Sequence, residues 1–200
     1  MIYLVGGAPR VGKTTLVNHL VQRHPMHAVS TDAIRYMLRR SVPKAALDPD
    51  IFIHFSTDIM NLWDKGVDET LEEQNRQSRA LWPAMREFIH SYDTDGIDLV
   101  VEGVAVLPEF ASSLDVEHRS VFIGNRSKEH MQCIKDQAHA NEHDWIRHLP
   151  DEKFERATEF FRAMSDYFAT QCAKYNLPYV EIADDTFDRD LQQAAEQLLN

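Results

Sequence analysis

The sequence predicts an α/β domain, in which a parallel β-sheet carries helices on both faces. Five short apolar segments, each bounded by glycine, proline or polar residues, have the length and composition of buried strands. Longer segments with helical periodicity separate them, and a helix between two strands is the usual crossover of a parallel sheet. The 200 residues fit one domain of this kind.

The first strand, at residues 2–5, leads into a glycine-rich loop that matches a phosphate-binding motif. Residues 7–14 read GAPRVGKT, which is the pattern G-x-x-x-x-G-K-[ST]. Directly afterwards, apolar residues recur with helical spacing over residues 16–21. The order strand, loop, helix is the context in which this motif holds phosphate.

The chemistry of the loop follows from its residue types. Gly7 and Gly12 allow the backbone N–H groups to turn toward one anion. The helix that begins near Lys13 adds the positive end of its dipole, and the lysine adds a charge for the terminal phosphates. The Thr14 hydroxyl can ligate Mg²⁺.

The remaining elements alternate along the chain. The later strands are predicted at residues 27–30, 97–101, 120–123 and 178–182. The later helices are predicted at residues 31–40, 51–90 in at least two pieces with a break near Gly66, 128–141, 151–175 and 187–199, with a loop over 43–50.

Composition excludes several kinds of partner. The chain has 21 lysines and arginines against 32 aspartates and glutamates, so it lacks the basic surface that nucleic acid requires. No segment approaches the ~20 apolar residues of a membrane span, and the first apolar run is too short for a signal peptide. Cys133 and Cys172 have no metal-ligand spacing and suggest a reducing compartment. We expect a cytoplasmic protein without nucleic-acid or membrane partners.

Two carboxylates follow predicted strands, where ligands bind in such sheets. Asp32 and Arg35 lie one helical turn apart, so both can face one cleft. Asp32 could orient a hydroxyl or take its proton, and Arg35 could hold an anionic group. Glu102, followed by Gly103, could hold Mg²⁺ through a water molecule. The alternative is that Asp32 only caps a helix and that the other two are surface or structural charges.

Phosphoryl transfer builds negative charge, so arginines should converge on the site. Arg126 follows the fourth strand and is the candidate for closing over the transferring group. Arg79 and Arg86, in the long helical segment, are candidates for binding an acceptor anion, although a surface position is the preferred interpretation for each taken alone.

One rival motif points to different chemistry. Residues 139–143 read HANEH, which matches the zinc-protease pattern H-x-x-E-H. Two histidines four residues apart on a helix can share a zinc ion. The rest of a zinc-protease fold is absent, so coincidence in a chain with ten histidines is the preferred interpretation.

Several segments together resemble the 2-phosphoglycerate kinase group of P-loop kinases. They are STDAIR at 30–35, EQ at 73–74 leading to WP at 82–83, and VEGV at 101–104 with Pro108; residues 154–181 fit more loosely. The resemblance implies a P-loop NTPase three-layer sandwich with a five-stranded sheet in the order 2-3-1-4-5. It also implies ATP and Mg²⁺ as co-substrates and a small phosphorylated acid as acceptor.

The resulting hypothesis is an ATP-dependent kinase that phosphorylates a hydroxyl of a small phosphorylated or carboxylated metabolite, such as 2-phosphoglycerate. A single domain, 1–200, would carry a helical substrate-side insert at about 43–93 and a helical lid at about 126–160, as a monomer or homodimer. Lys13, Asp32 and Arg126 would be catalytic, and Thr14 and Glu102 would hold Mg²⁺. The acceptor would contact Asp32, Arg35, Arg79, Glu102 and Gly103. The residues predicted to bind ATP are Gly7, Ala8, Pro9, Arg10, Val11, Gly12, Lys13, Thr14 and Thr15.

Three alternatives remain open from the sequence. A nucleoside or nucleotide kinase would use the same scaffold and stack a base in its pocket. A nucleotide-dependent switch or slow ATPase would bind ATP and phosphorylate no acceptor. A zinc hydrolase would require stoichiometric metal at His139 and His143.

Overall fold

The computed structural model describes residues 1–41, 49–52 and 59–200. The predicted loop over 43–50 and the first part of the predicted helical stretch 51–90 lie partly outside these residues. No helix in the described part of the chain is both long enough and apolar enough to cross a lipid bilayer.

A five-stranded sheet forms the centre of the domain, and every neighbouring pair of strands is parallel. The order β2-β3-β1-β4-β5 confirms both the predicted fold class and the predicted topology. The strands are nearly continuous runs of buried residues, as expected when helices cover both faces. They comprise β1 (Ile2–Gly7), β2 (His27–Ser30), β3 (Leu99–Gly103), β4 (His118–Gly124) and β5 (Tyr179–Glu181).

The helices form two layers over this sheet. On one face α1 packs against α8; on the other, α4 packs against α7. The helices are α1 (Lys13–Arg23), α2 (Thr31–Ser41), α3 (Ile59–Leu62), α4 (Val67–Thr94), α5 (Pro108–Ser113), α6 (His130–Ala140), α7 (Asp151–Tyr175) and α8 (Phe187–Leu199). Short 3₁₀ turns lie at Pro49–Phe52, Trp145–His148 and Asp184–Thr186.

Buried side chains of both layers meet the sheet in one core. Leu16 of α1, Leu4 of β1 and Met85 of α4 are fully or almost fully buried. The rings of Phe122 in β4 and Phe168 in α7 stack with centroids 5.9 Å apart. The core therefore fixes the carboxyl ends of the strands, from which the glycine-rich loop and its neighbours project.

The breaks between helices fall where the sequence predicted them. Gly66 has extended backbone and precedes α4, and Pro150 precedes α7. Pro83 lies inside α4 without ending it, and that helix continues to Thr94. The predicted helix end at residue 90 was four residues short. The residues directly after position 90 include no glycine or proline, and the first such stop signal is Gly96.

Two local predictions were wrong. The strand predicted from residue 97 begins at Leu99, because the amide of Ile97 donates to the carbonyl of Tyr92 and belongs to the helix end. The sequence analysis also missed α5, which has Pro108 in its first turn. Proline suits this position because the first N–H groups of a helix have no partner within the helix.

Candidate phosphate-binding site

The strand register brings the candidate residues to one edge of the sheet. Ser30 at the end of β2 lies beside Glu102, and Gly6 of β1 lies beside Gly103. A cavity of about 500 Å³ opens above this edge. The glycine-rich loop and the start of α1 line one side of the cavity; the other side includes His130, Asp184 and Phe187.

The loop has the backbone that its glycines allow. Gly7 and Gly12 have φ values of +138° and +92°, which strain any residue with a Cβ. A Cβ on Gly7 would lie 2.0 Å from the Ile123 carbonyl oxygen, and one on Gly12 would lie 2.8 Å from the Phe187 ring. Glycine is therefore required at position 7 by conformation and by space, and at position 12 by conformation. Between them, Arg10 adopts φ +67°, although it is not glycine.

Lys13 is a buried cation at the floor of this cavity. Lys13 is only 8% exposed, and its Nζ donates a hydrogen bond to the Ala8 carbonyl at 2.5 Å. Burial lowers the pKa of Lys13 to about 8, while the charges of Glu102 and Asp32 act in the opposite direction. In the described part of the chain no carboxylate forms an ion pair with Nζ. The site therefore favours binding of an anion, because its charge would stabilise the protonated form of Lys13 that burial disfavours.

We expect the pH dependence of stability to reveal this buried lysine. Its folded-state pKa of about 8 lies below the ordinary value of 10.5, so between these pH values the unfolded chain binds more protons. Stability of the nucleotide-free protein should therefore rise with pH in that window, by up to about 3 kcal/mol relative to Lys13→Met. Urea unfolding of both proteins from pH 7.5 to 10, in buffers without phosphate or sulfate, measures the difference. Parallel curves would contradict the assignment.

Glu102 and Thr14 form an oxygen-rich pair beside Lys13. Thr14 Oγ1 lies 3.4 Å from Glu102 Oε1. Burial raises the pKa of Glu102, and the nearby Lys13 charge lowers it in part. A hydroxyl and a carboxylate at this spacing fit the hard oxygen ligands that Mg²⁺ takes, with the carboxylate acting directly or through water.

The turn from β2 into α2 places the D-x-x-R pair at the same edge. Gly103 has φ +147°, and a Cβ there would lie 2.0 Å from Thr31 Oγ1, so only glycine lets α2 begin this close to β3. The Ser30 hydroxyl accepts the hydrogen bond of the Ala33 amide at 3.1 Å. The side chain that caps the first turn of α2 is therefore that of Ser30, and not that of Asp32.

Asp32 and Arg35 form an ion pair in the first turn of α2, and neither residue is among those that line the cavity. Arg35 Nη2 donates to Asp32 Oδ1 at 2.5 Å. The Asp32 side chain is 59% exposed, whereas that of Arg35 is 15% exposed. Asp32 and Glu102 are therefore near enough to act on the charge of Lys13, and Arg35 is joined to this group through Asp32.

The other predicted arginines bind elsewhere. Arg126 donates from its amide and from Nε to Glu181, at 2.6 and 2.7 Å. Arg79 Nε donates to Glu109 at 2.8 Å, and Arg86 reaches Asp115 at 3.5 Å. The structure does not bring Arg79 or Arg86 to the loop, and it shows the Arg126 guanidinium engaged at the end of β5. The roles assigned to Arg79 and Arg126 stay predictions.

Sequence reasoning missed two residues that touch the loop. His130, at the start of α6, points Nδ1 at Asp184 Oδ1 at 2.7 Å and Nε2 at the Arg10 carbonyl at 3.2 Å. Asp144 binds the Arg10 guanidinium. No motif marks either residue, because both are brought to the loop by the packing of segments more than 100 residues away.

Histidines of this chain also raise the question of metal. Ligand atoms of His130, Cys133 and Asp184 lie within 4.8 Å of one another. Both ring nitrogens of His130 already lie within hydrogen-bonding distance of an oxygen, one on Asp184 and one on the Arg10 carbonyl, so protein contacts account for the position of the ring. In the rival H-x-x-E-H motif, His139 lies in the last turn of α6, and His143 lies beyond the extended Asn141. The two rings therefore do not share a helix face.

Comparison with known proteins supports the resemblance stated above. The chain is 23% identical to a 2-phosphoglycerate kinase of Methanopyrus kandleri over all of its own length and 62% of the relative's. It is 22% identical to a 2-phosphoglycerate kinase of Thermococcus kodakarensis over 89% of its length and 60% of the relative's. The chain thus spans about three fifths of the curated relatives it matches. No protein-family model matches it.

A solved structure shows the same fold. A gluconokinase from Sinorhizobium meliloti superposes with a TM-score of 0.53 at 13% identity, covering 98% of this chain and 90% of that one. The chain therefore has the fold of P-loop kinases and resembles the 2-phosphoglycerate kinases among them.

Proposed function

We propose that the chain is an ATP-dependent kinase that transfers the γ-phosphoryl group to a hydroxyl of a small anionic metabolite. The observation that carries this proposal is the buried Lys13 in the glycine-rich loop, near enough to Glu102 and Asp32 for their negative charges to raise its pKa in part. A buried cation beside two acids is an arrangement for a bound anion with a metal and a reacting hydroxyl close by.

The chain's own groups divide the work of this reaction. The loop amides and Lys13 hold the terminal phosphates, and Thr14 with Glu102 holds Mg²⁺. When bound, Mg²⁺ offsets the charge of the phosphate oxygens. Asp32 accepts the proton of the attacking hydroxyl or orients it, and its exposed carboxylate is accessible to an acceptor.

Arg35 is the residue proposed to grip the acceptor. Its side chain is largely buried, yet it pairs with the exposed Asp32. A guanidinium in that position can bind a phosphate or carboxylate through two parallel hydrogen bonds. The names of the curated relatives make 2-phosphoglycerate the first acceptor to test.

The first turns of α4 have the composition of a pocket wall, which supports the proposed substrate-side insert. The buried stripe of this helix is polar at Thr70, Gln74 and Ser78 and becomes apolar from Leu81 onward. Asn75 is 6% exposed, and its Oδ1 has no hydrogen-bond partner among the described residues. Buried amides usually find partners, so this half of the helix fits the wall of a polar pocket better than a core. The helical substrate-side insert at about 43–93 and the helical lid at about 126–160 are also part of the proposal.

We expect radiolabel to pass from [γ-³²P]ATP to 2-phosphoglycerate when Mg²⁺ is present. A panel of phosphorylated acids, sugar acids, nucleosides and nucleoside monophosphates, analysed by chromatography, identifies the acceptor. Arg35→Ala should raise the Michaelis constant of the acceptor about tenfold or more and that of ATP much less. Arg119→Ala is the matched control, because Arg119 lies near the amino end of β4, whereas the candidate site lies at the carboxyl ends of the strands.

Each other outcome separates the alternatives. Labelling of a nucleoside or its monophosphate would replace the acceptor class with that of a nucleoside or nucleotide kinase. Release of inorganic phosphate with no labelled acceptor would favour an ATPase or switch. A larger effect of Arg35→Ala on ATP than on the acceptor would reject the role of Arg35.

The proposed location is the cytoplasm. Neither Cys133 nor Cys172 is in a disulfide, which agrees with a reducing compartment.

A further inference from the structure

Arg10, in the middle of the phosphate loop, is held from both its side chain and its backbone. Nη1 and Nη2 bind the two carboxylate oxygens of Asp144 at 2.5 and 2.7 Å. The carbonyl oxygen of Arg10 contacts Nε2 of His130 at 3.2 Å. Its backbone lies in the left-handed region, at φ +67°. Residues other than glycine disfavour this region, so the surrounding contacts must hold the loop there.

The Asp144 carboxylate is well suited to be a fixed anchor. Its side chain is 5% exposed, and Oδ1 also accepts the Ile146 amide at 3.1 Å, which caps the 3₁₀ turn Trp145–His148. The Arg10 guanidinium lowers the pKa of Asp144 more than burial raises it. Separating the pair would leave a buried carboxylate with only one amide donor, which is strongly unfavourable. The pair should therefore persist when an anion enters the cavity.

We propose that Asp144 and His130 are positioning residues that hold Arg10 in its left-handed conformation and so preorganise the phosphate loop for the nucleotide. The proposal rests on the proposed function, because it assumes that this cavity binds Mg-ATP. It assigns to α6 and the turn that follows it a role in shaping the anion cradle from a distance in sequence. A loop that already has its binding conformation loses less conformational freedom when the nucleotide binds.

A competing explanation predicts the opposite change in nucleotide affinity. If Asp144 merely neutralised Arg10, removing its charge would make the cavity more positive and tighten nucleotide binding. Preorganisation instead predicts weaker binding. It also predicts that the weakening disappears when residue 10 no longer needs help to be left-handed, and glycine has that property.

The test measures the dissociation constant of Mg-ATP by calorimetry in a four-protein cycle. The proteins are the parent, Asp144→Asn, Arg10→Gly and the double variant. Asp144→Asn keeps an oxygen for the Ile146 amide, so the turn retains its cap. In the Arg10 background we expect Asp144→Asn to raise the dissociation constant about tenfold, equivalent to about 1.4 kcal/mol. In the Arg10→Gly background the same change should leave it unchanged or lower it, because the Asp144 carboxylate has already lost its cation there.

The outcomes are distinct. An equal rise in both backgrounds would show that Asp144 acts only on general structure, and unchanged or tighter binding in the Arg10 background would equally overturn the proposal. Absence of binding by the parent would instead contradict the proposed function. Melting temperatures check that each variant is folded. If Asp144→Asn does not fold, His130→Asn serves in its place, because it loses the contact to the Arg10 carbonyl; its effect should likewise vanish with Arg10→Gly.

Discussion

Lys13→Ala is expected to lower kcat/KM for phosphoryl transfer by about 100-fold to 1,000-fold, the range found when one preorganised charge-stabilising donor is removed. Nζ sits at the floor of the cavity, where the terminal phosphates would lie, and burial makes its charge act through a medium of low polarity. The fold should survive, because the one hydrogen bond of Nζ to a described residue is to the Ala8 carbonyl of its own loop. Initial rates with saturating acceptor, together with circular dichroism and melting temperature, measure both effects.

Lys135→Ala is the matched control for this change. Lys135 is a half-exposed lysine of α6 whose ammonium lies 3.2 Å from Asp151, away from the loop. The Lys135→Ala variant should keep kcat/KM within about twofold of the parent value, since exposed ion pairs contribute little. Equal turnover by Lys13→Ala and the parent would contradict the assignment of the loop.

Asp32→Asn is expected to lower kcat by about 100-fold to 10,000-fold, the range for loss of a positioned general base. The amide keeps the shape of the side chain and can still accept one hydrogen bond from Arg35, but it cannot take a proton. The Michaelis constant of ATP should change little, because the loop is untouched. Steady-state rates with both substrates varied separate the two constants.

Asp188→Asn provides the comparison. Asp188 is an exposed aspartate in the first turn of α8, so its change tests the loss of one negative charge alone. A kcat for Asp32→Asn within a few-fold of this control would exclude Asp32 as the base and leave it as a partner of Arg35.

The fold could be predicted because its signals are local. The helix after Pro150 and the final helix, α8, have the predicted bounds, because capping, periodicity and proline placement act over a few residues. The strand order came from family resemblance and could not come from periodicity, since every buried parallel strand looks alike in sequence. The short α5 was missed because six residues give too little periodicity to recognise.

The candidate site divides along the same line. Lys13 and Thr14 could be predicted from the loop motif, and Asp32 and Glu102 from their places at the carboxyl ends of predicted strands, because parallel strands end at one edge. For arginines that rule does not suffice, because a long side chain can turn to a nearby carboxylate. Arg126 follows β4 as expected, yet its guanidinium lies on Glu181.

Partners of Arg10 show the remaining limit. Asp144 is 134 positions away in sequence, and His130 is 120 positions away. Both belong to segments whose own sequences are ordinary helix and turn, so their contact with the loop exists only in the folded chain. Residues that shape a site by holding its backbone leave no motif, and only the geometry reveals them.

The most direct measurement for the whole account is a calorimetric titration of the parent protein with Mg-ATP. Binding at one site per chain, lost in Lys13→Ala and kept in Lys135→Ala, is the result expected if the glycine-rich loop is an anion cradle. A parent protein that gives no heat of binding, supported by an unchanged melting temperature at millimolar Mg-ATP, would contradict it.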